Sequence, residues 1–299
     1  MDKTIFSGVI APIVNPCFED DTLDEGSLEQ NFDRLMAAGV NGLYINGGTG
    51  DAANLTTEER MRVAEMLVPR LKAMHKAAIV HVGQTTQREA VKLAAHAKAL
   101  GADAVASIPP KKPWPQIVEY YKALAAAGAP VIVYYIPGVT GMTAGMPELR
   151  MMLDIPGVIG IKMSDFNIFL LRSVMLEYPD KVVYSGFDEM LVPGLMYGAD
   201  GCIGTWINLF PVMYDRIYRS VSEGHADRVS KLMNEFTAFL ADAWKYGVID
   251  TFEELMHAKG YAGRCFRRPS SWDPGKVDAE TLDKLLAGIE RIENEAAGM

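Results

Sequence analysis

The chain has 299 residues, 49% of them apolar, and a formal net charge of −9. This length suits one large domain or two ordinary ones, with apolar residues enough for a sizeable core. The acidic balance argues against a nucleic-acid partner, which asks for a basic face, and Gly, Pro or charge breaks every apolar run well short of a membrane span.

Short apolar runs alternate with amphipathic ones along the chain. The apolar runs, read as strands, are Ser7–Pro12, Gly42–Asn46, Ala78–Val82, Ala104–Ile108, Val131–Tyr135, Val158–Lys162, Val182–Ser185 and Gly201–Gly204. Between the first two, Leu28, Phe32, Leu35 and Met36 share one helical face that Gly39 ends. Thr56 with Glu59 forms a capping box for the next helix. Ala90, Leu93, Ala94 and Ala97 make a third stripe, stopped by Gly101. Strands alternating with helices imply parallel βαβ units, and eight such units predict a closed (β/α)8 TIM barrel of the α/β class. After Pro211 the sequence reads as helix throughout, over Val212–Glu223, Ala226–Tyr246, Phe252–Gly260 and Asp278–Asn294. The expected division is a barrel over residues 1–224 and a helical extension packed on it over 225–299.

A barrel places chemistry at the C-terminal ends of its strands. The polar clusters fall there: Asn46-Gly47-Gly48-Thr49-Gly50-Asp51 after the second strand, Tyr134-Tyr135-Ile136-Pro137 at the fifth, Lys162-Met163-Ser164-Asp165 at the sixth, Gly186-Phe187-Asp188-Glu189 after the seventh and Gly204-Thr205-Trp206 after the eighth. Lys162 is the most informative residue. It closes a strand of β-branched residues, and in a buried pocket desolvation disfavours its ammonium form. A neutral amine is a nucleophile that forms a Schiff base with a carbonyl substrate. Tyr134 offers a hydroxyl at the inner rim, with Thr49 the natural partner to hold it. Strand alternation turns Tyr135 outward. The Gly47–Gly50 turn suits a carboxylate, because glycines let the backbone approach and the turn before a helix presents free N–H groups.

These clusters, in this order, resemble the N-acetylneuraminate lyase and dihydrodipicolinate synthase family of class I Schiff-base aldolases. The resemblance runs from the first strand to Cys265-Phe266-Arg267-Arg268-Pro269. It implies a pyruvate imine on Lys162, a proton shuttle at Tyr134 and a pyruvate-carboxylate cradle at Gly48 and Thr49. Within the family the chain is closer to the N-acetylneuraminate lyases. Val139 stands where the dihydrodipicolinate branch carries a carboxylate-binding arginine, and Ser164 two residues after the lysine resembles the sialic-acid branch. So do Gly186, Asp188 and Glu189, followed by the run to Thr205; the two carboxylates suit a polyol, whose hydroxyls donate. The implied reaction is cleavage of N-acetylneuraminate to pyruvate and N-acetylmannosamine by a homotetramer, with no external cofactor and a small keto acid or sugar acid as the only partner.

Some residues depart from that branch. Gly48 replaces a serine, Trp206 is expected to narrow or reshape the sugar-tail pocket, and Lys111 and Lys112 near the rim favour an acidic substrate. These features keep open another 2-keto-3-deoxy sugar-acid aldolase or dehydratase, then dihydrodipicolinate synthase, and lastly a non-catalytic pyruvate sensor. His75, His81, His96, His225 and His257 show no ligand spacing, so no metal site is expected. Cys17, Cys202 and Cys265 are far apart and in no CxxC pattern, which suits a reducing compartment. Met1-Asp2-Lys3-Thr4-Ile5 lacks the h-region of a signal peptide, so the expected location is the cytoplasm.

Overall fold

All eight predicted strands form, and they close on themselves. In the computed structural model, which describes residues 3–83, 86–269 and 275–299, the order is a parallel barrel in which each strand pairs with the next and the eighth pairs with the first. The elements are β1 (Gly8–Pro12), α1 (Glu25–Ala37), β2 (Gly42–Ile45), α2 (Thr57–Ala73), β3 (Ala77–His81), α3 (Gln87–Ala99), β4 (Ala104–Ser107), α4 (Trp114–Ala126), β5 (Val131–Tyr135), α5 (Pro137–Thr140), α6 (Met146–Leu153), β6 (Val158–Met163), α7 (Ile168–Glu177), β7 (Val182–Ser185), α8 (Leu191–Met196), β8 (Gly201–Cys202) and α9 (Pro211–Ser222). The extension adds α10 (Ser230–Ala243), α11 (Val248–Ala258) and α12 (Ala279–Ala297).

Most strand ends agree with the sequence reading. The clearest correction is β8, which stops at Cys202 because Gly204 already leads into the 3-10 turn Thr205–Asn208. The predicted helix Ala226–Tyr246 divides into a 3-10 turn, α10 and a second 3-10 turn over Trp244–Tyr246. Phe252–Gly260 begins earlier, at Val248. The capping box at Thr56 is present, with Thr56 Oγ1 accepting from the Glu59 N–H and Glu59 Oε2 accepting from the Thr56 N–H.

Strand alternation divides the apolar residues into two cores. Ile10, Tyr44, Ile79, Ala106, Ile132, Tyr134, Tyr184 and Ile203 fill the barrel interior. Val9, Leu43, Val80, Val105, Val133, Tyr135, Ile161 and Met163 pack outward against the helices. Tyr135 therefore points outward as expected, its hydroxyl accepting from the Ala144 N–H. Register sets Tyr134, Lys162 and Tyr184 side by side on β5, β6 and β7. Phe6 lies at the barrel floor, where its carbonyl accepts from the Tyr184 hydroxyl. Among the described residues no helix is long and apolar enough to cross a membrane.

Candidate active site

Lys162 sits on the inner face of β6, 5% exposed. Its Nζ lies 4.1 Å from the ring centroid of Tyr134 and 5.0 Å from that of Tyr44. The two tyrosine rings meet edge to face at 6.2 Å. The amine-bearing chain thus rises between two aromatic walls from the packed interior into an open mouth. Gly186 is needed for that path: a Cβ there would strike Ser164 Oγ and come within 3.0 Å of Lys162 Cε.

The mouth is a cavity of about 370 Å³. Gly48, Thr49, Tyr134, Lys162, Ser164, Gly186, Asp188, Glu189 and Thr205 all line it, so every sequence-predicted site residue converges there. The one predicted partnership changes. The Tyr134 hydroxyl meets Ser164 Oγ at 3.3 Å, not Thr49, because β5 and β6 are adjacent and Ser164 follows directly on β6. Thr49 instead shares a 2.9 Å hydrogen bond with Thr205 Oγ1, joining the turn after β2 to the turn after β8.

Trp206 lines the cavity together with Trp244, Val248 and Ile249. It is 1% exposed, and its ring packs edge to face on Phe239 and Phe252 of the extension. Lys111 and Lys112 are exposed and do not line the cavity.

Asp188 and Glu189 begin the 3-10 turn Asp188–Met190. Asp188 Oδ1 accepts from the Trp206 N–H at 3.2 Å and from the hydroxyl of Tyr214 on α9. Burial outweighs these donors and pushes the Asp188 carboxyl up to about 6. Burial also raises Glu189 above the ordinary carboxylate range.

Three buried residues that the sequence reading gave no part in the site lie beside or behind it. Tyr44 looks in sequence like one more apolar strand residue, yet it forms the second wall of the lysine channel. Its hydroxyl is buried with no protein partner among the described residues, and burial raises it well above the usual phenol range. His81 Nε2 accepts from the Ile108 N–H, so its Nδ1–H donates to the Asn46 carbonyl at 3.0 Å. Burial and the Arg60 guanidinium keep that imidazole neutral, well below its ordinary value. Arg60 in turn donates to the carbonyls of His81 and Gly83, and ties the end of β3 to α2.

The amine, the phenol, a hydroxyl pair beside an open glycine turn and two carboxylates can together form an imine, move a proton and hold a polyhydroxylated acid. Residues 5–288 match the model of the dihydrodipicolinate synthetase family. The chain belongs to this family. The match agrees with the resemblance drawn from the strand-end motifs, and family members compare with it over nearly its whole length. The N-acetylneuraminate lyase of Escherichia coli is 30% identical over 298 residues, covering 98% of this chain and 99% of the relative. The crystal structure of N-acetylneuraminate lyase from Fusobacterium nucleatum superposes with a TM-score of 0.85 at 26% identity, covering 97% and 99% of the two chains. The enzyme of that name from Mycoplasma synoviae gives 0.82 at 26% identity, covering 99% of each. The chain is accordingly an enzyme, a carbon–carbon lyase of the class I aldolase type.

Proposed function

We propose that this lyase cleaves N-acetylneuraminate reversibly to pyruvate and N-acetylmannosamine. The observation that carries the proposal is a buried lysine amine between two phenols, opening into a cavity whose far wall holds two carboxylates. The Lys162 amine attacks the C2 ketone of the open-chain sugar acid, and loss of water leaves an iminium. Its positive charge draws electrons from the C3–C4 bond. As that bond breaks, the Tyr134 oxygen, whose proton left with the departing water, accepts the proton of the C4 hydroxyl, and the aldehyde leaves. Tyr134 returns that proton to C3 of the remaining enamine, and water then releases pyruvate and the free lysine and restores the phenol.

The substrate carboxylate lies against Gly48 and Thr49, with Thr205 steadying the Thr49 hydroxyl. Ser164 orients the Tyr134 hydroxyl. Gly186 leaves room for the imine, and Asp188 and Glu189 accept hydrogen bonds from the sugar's hydroxyl tail. No cofactor takes part in this scheme beyond the lysine itself. In this reading the enzyme acts in the cytoplasm and as a homotetramer; the strongly exposed Phe166, Phe169 and Leu176 in and beside α7 support self-association, because a second copy would cover them, and sedimentation velocity gives the assembly. The experiment that tests the mechanism is borohydride trapping with N-acetylneuraminate, followed by peptide mass mapping. A reduced three-carbon adduct on Lys162 is expected; an adduct elsewhere, or none, rejects the mechanism.

One observation favours a second substrate. At Gly48 a Cβ would meet nothing within 4 Å, so the missing side chain leaves open space beside the carboxylate seat. A keto-deoxy sugar acid other than N-acetylneuraminate fits that feature equally well. Pyruvate release compared over both substrate classes decides between them.

A further inference from the structure

The turn that bears Gly48 and Thr49 is held from outside the barrel. Asn46 and Asp51 bracket it, both with left-handed backbone (φ of 58° and 56°) although neither is glycine. Such residues persist where surrounding contacts over-determine them. Asn46 Nδ2 donates to the Arg60 carbonyl, and Asn15 Nδ2 donates to both Asn46 Oδ1 and the Gly50 carbonyl. At the other bracket, Asp51 Oδ1 accepts from Asn54 Nδ2 at 2.9 Å. Asp51 Oδ2 accepts from the backbone N–H of Arg267 at 2.8 Å.

Arg267 belongs to the segment beyond α11 and is 3% exposed. Its Nη1 donates to the Asn15 carbonyl at 3.3 Å and lies 3.7 Å from Asp51 Oδ2. Its Nη2 lies 3.6 Å from Glu59, the capping-box acid at the start of α2. One buried guanidinium therefore touches three parts of the frame around the turn: Asn15, Asp51 and the first turn of α2. Glu253 of α11 fixes the approach of this segment, accepting from the N–H groups of Cys265 and Phe266.

Inside the frame, the N–H groups of Gly50, Asp51 and Ala52 are spent on the turn itself. No protein acceptor among the described residues takes the N–H of Gly48 or Thr49. Those two are left to a ligand, and their direction is fixed by the brackets.

We propose that Arg267 and Asp51 are a positioning pair that aims the Gly48–Thr49 turn at the substrate carboxylate, making the helical extension part of the keto-acid seat. The proposal rests on the reading that a keto acid forms its imine on Lys162 with its carboxylate at this turn. A structural brace alone would affect all carbonyl compounds alike. A positioning pair affects only those that carry the carboxylate.

The test uses the full-length protein, cyanoborohydride and two carbonyl probes, pyruvate and its neutral methyl ester, at concentrations below saturation. Adduct on Lys162 is followed by mass. In Arg267→Lys and in Asp51→Asn the pyruvate trapping rate should fall about ten-fold, the worth of one charge-assisted hydrogen bond. Methyl pyruvate trapping should stay within about two-fold of the wild type, which also shows that the variant is folded. Arg268→Ala, which removes the neighbouring exposed arginine paired with Asp21, should change neither. If both probes fall together in both variants, or neither falls, the pair does not position the turn and the proposal is overturned. A wild type that forms no adduct on Lys162 with either probe rejects the Schiff-base reading itself, a different outcome from an unchanged ratio.

Discussion

Tyr134 has its hydroxyl 3.3 Å from Ser164 Oγ and its ring 4.1 Å from the Lys162 amine. One residue thus flanks the amine with its ring face and lines the cavity. Tyr134→Phe keeps the wall and removes the proton carrier. Turnover should fall by about 10²–10⁴-fold, the usual worth of general acid–base catalysis, while pyruvate still traps on Lys162. Single-turnover trapping beside steady-state pyruvate release separates the two; near-normal turnover would make Tyr134 only a wall. Asp188 makes a second, pH-dependent case. Its Oδ1 is occupied by Tyr214 and the Trp206 N–H, and burial raises its pKa from 3.8 to about 6. If its carboxylate reads the sugar tail, kcat/KM for N-acetylneuraminate should rise with pH through about 6, with no such rise in pyruvate trapping. Asp188→Asn should flatten that rise. The stability effect has the opposite sign: a carboxyl whose pKa is raised by folding stabilises fully below 3.8, and that contribution is lost as pH climbs through about 6. Asp188→Asn should therefore gain stability relative to the wild type above pH 6, measured by urea unfolding at several pH values.

At the level of elements, the turn after β2 shows which glycines are required and why. Neither Gly47 nor Gly48 has a positive φ, so backbone freedom is not the reason for either. A Cβ on Gly47 would lie 2.6 Å from the Tyr44 ring, whereas one on Gly48 meets open space. Gly47→Ala should destabilise by roughly 1–3 kcal/mol, as overpacking does. Gly48→Ala should stay within about 0.5 kcal/mol, with chemical denaturation as the measurement; equal losses would contradict this assignment. The same turn marks how far sequence reasoning reaches. Gly47–Asp51, Tyr134 and Lys162 are legible because each interrupts or ends a strand pattern, and period-2 alternation fixes which side chains look inward. Tyr44 was illegible because an inward tyrosine in an apolar strand looks like core until a lysine is placed beside it. The exchange of partners at Thr49 and Ser164 was illegible too. Strand pairing decides it, and pairing is a tertiary fact. The packing of the Trp206 ring on Phe239 and Phe252 of the extension was illegible for the same reason.

For the whole molecule, the extension is joined to the barrel at two points along its path. Arg267 meets the turn after β2, and α12 reaches α9 through Glu293. That carboxylate accepts from the N–H groups of Val212 and Met213, at 3.2 and 2.8 Å. These are donors that a helix N-terminus leaves without intrahelical partners, and α9 begins at Pro211 with no side-chain cap of its own. Glu293 is thus a cap delivered from 80 residues away along the chain. Burial is the largest influence on it and raises its pKa from 4.5 to about 7, despite the two N–H donors that favour the charge. The sign follows from the direction. A carboxyl that holds its proton more tightly in the folded state stabilises fully below 4.5, and the contribution disappears as pH rises through about 7. Glu293→Gln removes the titration while keeping a carbonyl for the shorter Met213 bond. The wild-type unfolding free energy should therefore fall, relative to the variant, as pH is raised from about 4.5 to about 7, and the difference should level off above that. Paired urea titrations across this range give the comparison, and a constant offset between the two proteins would mean that Glu293 caps α9 without titrating.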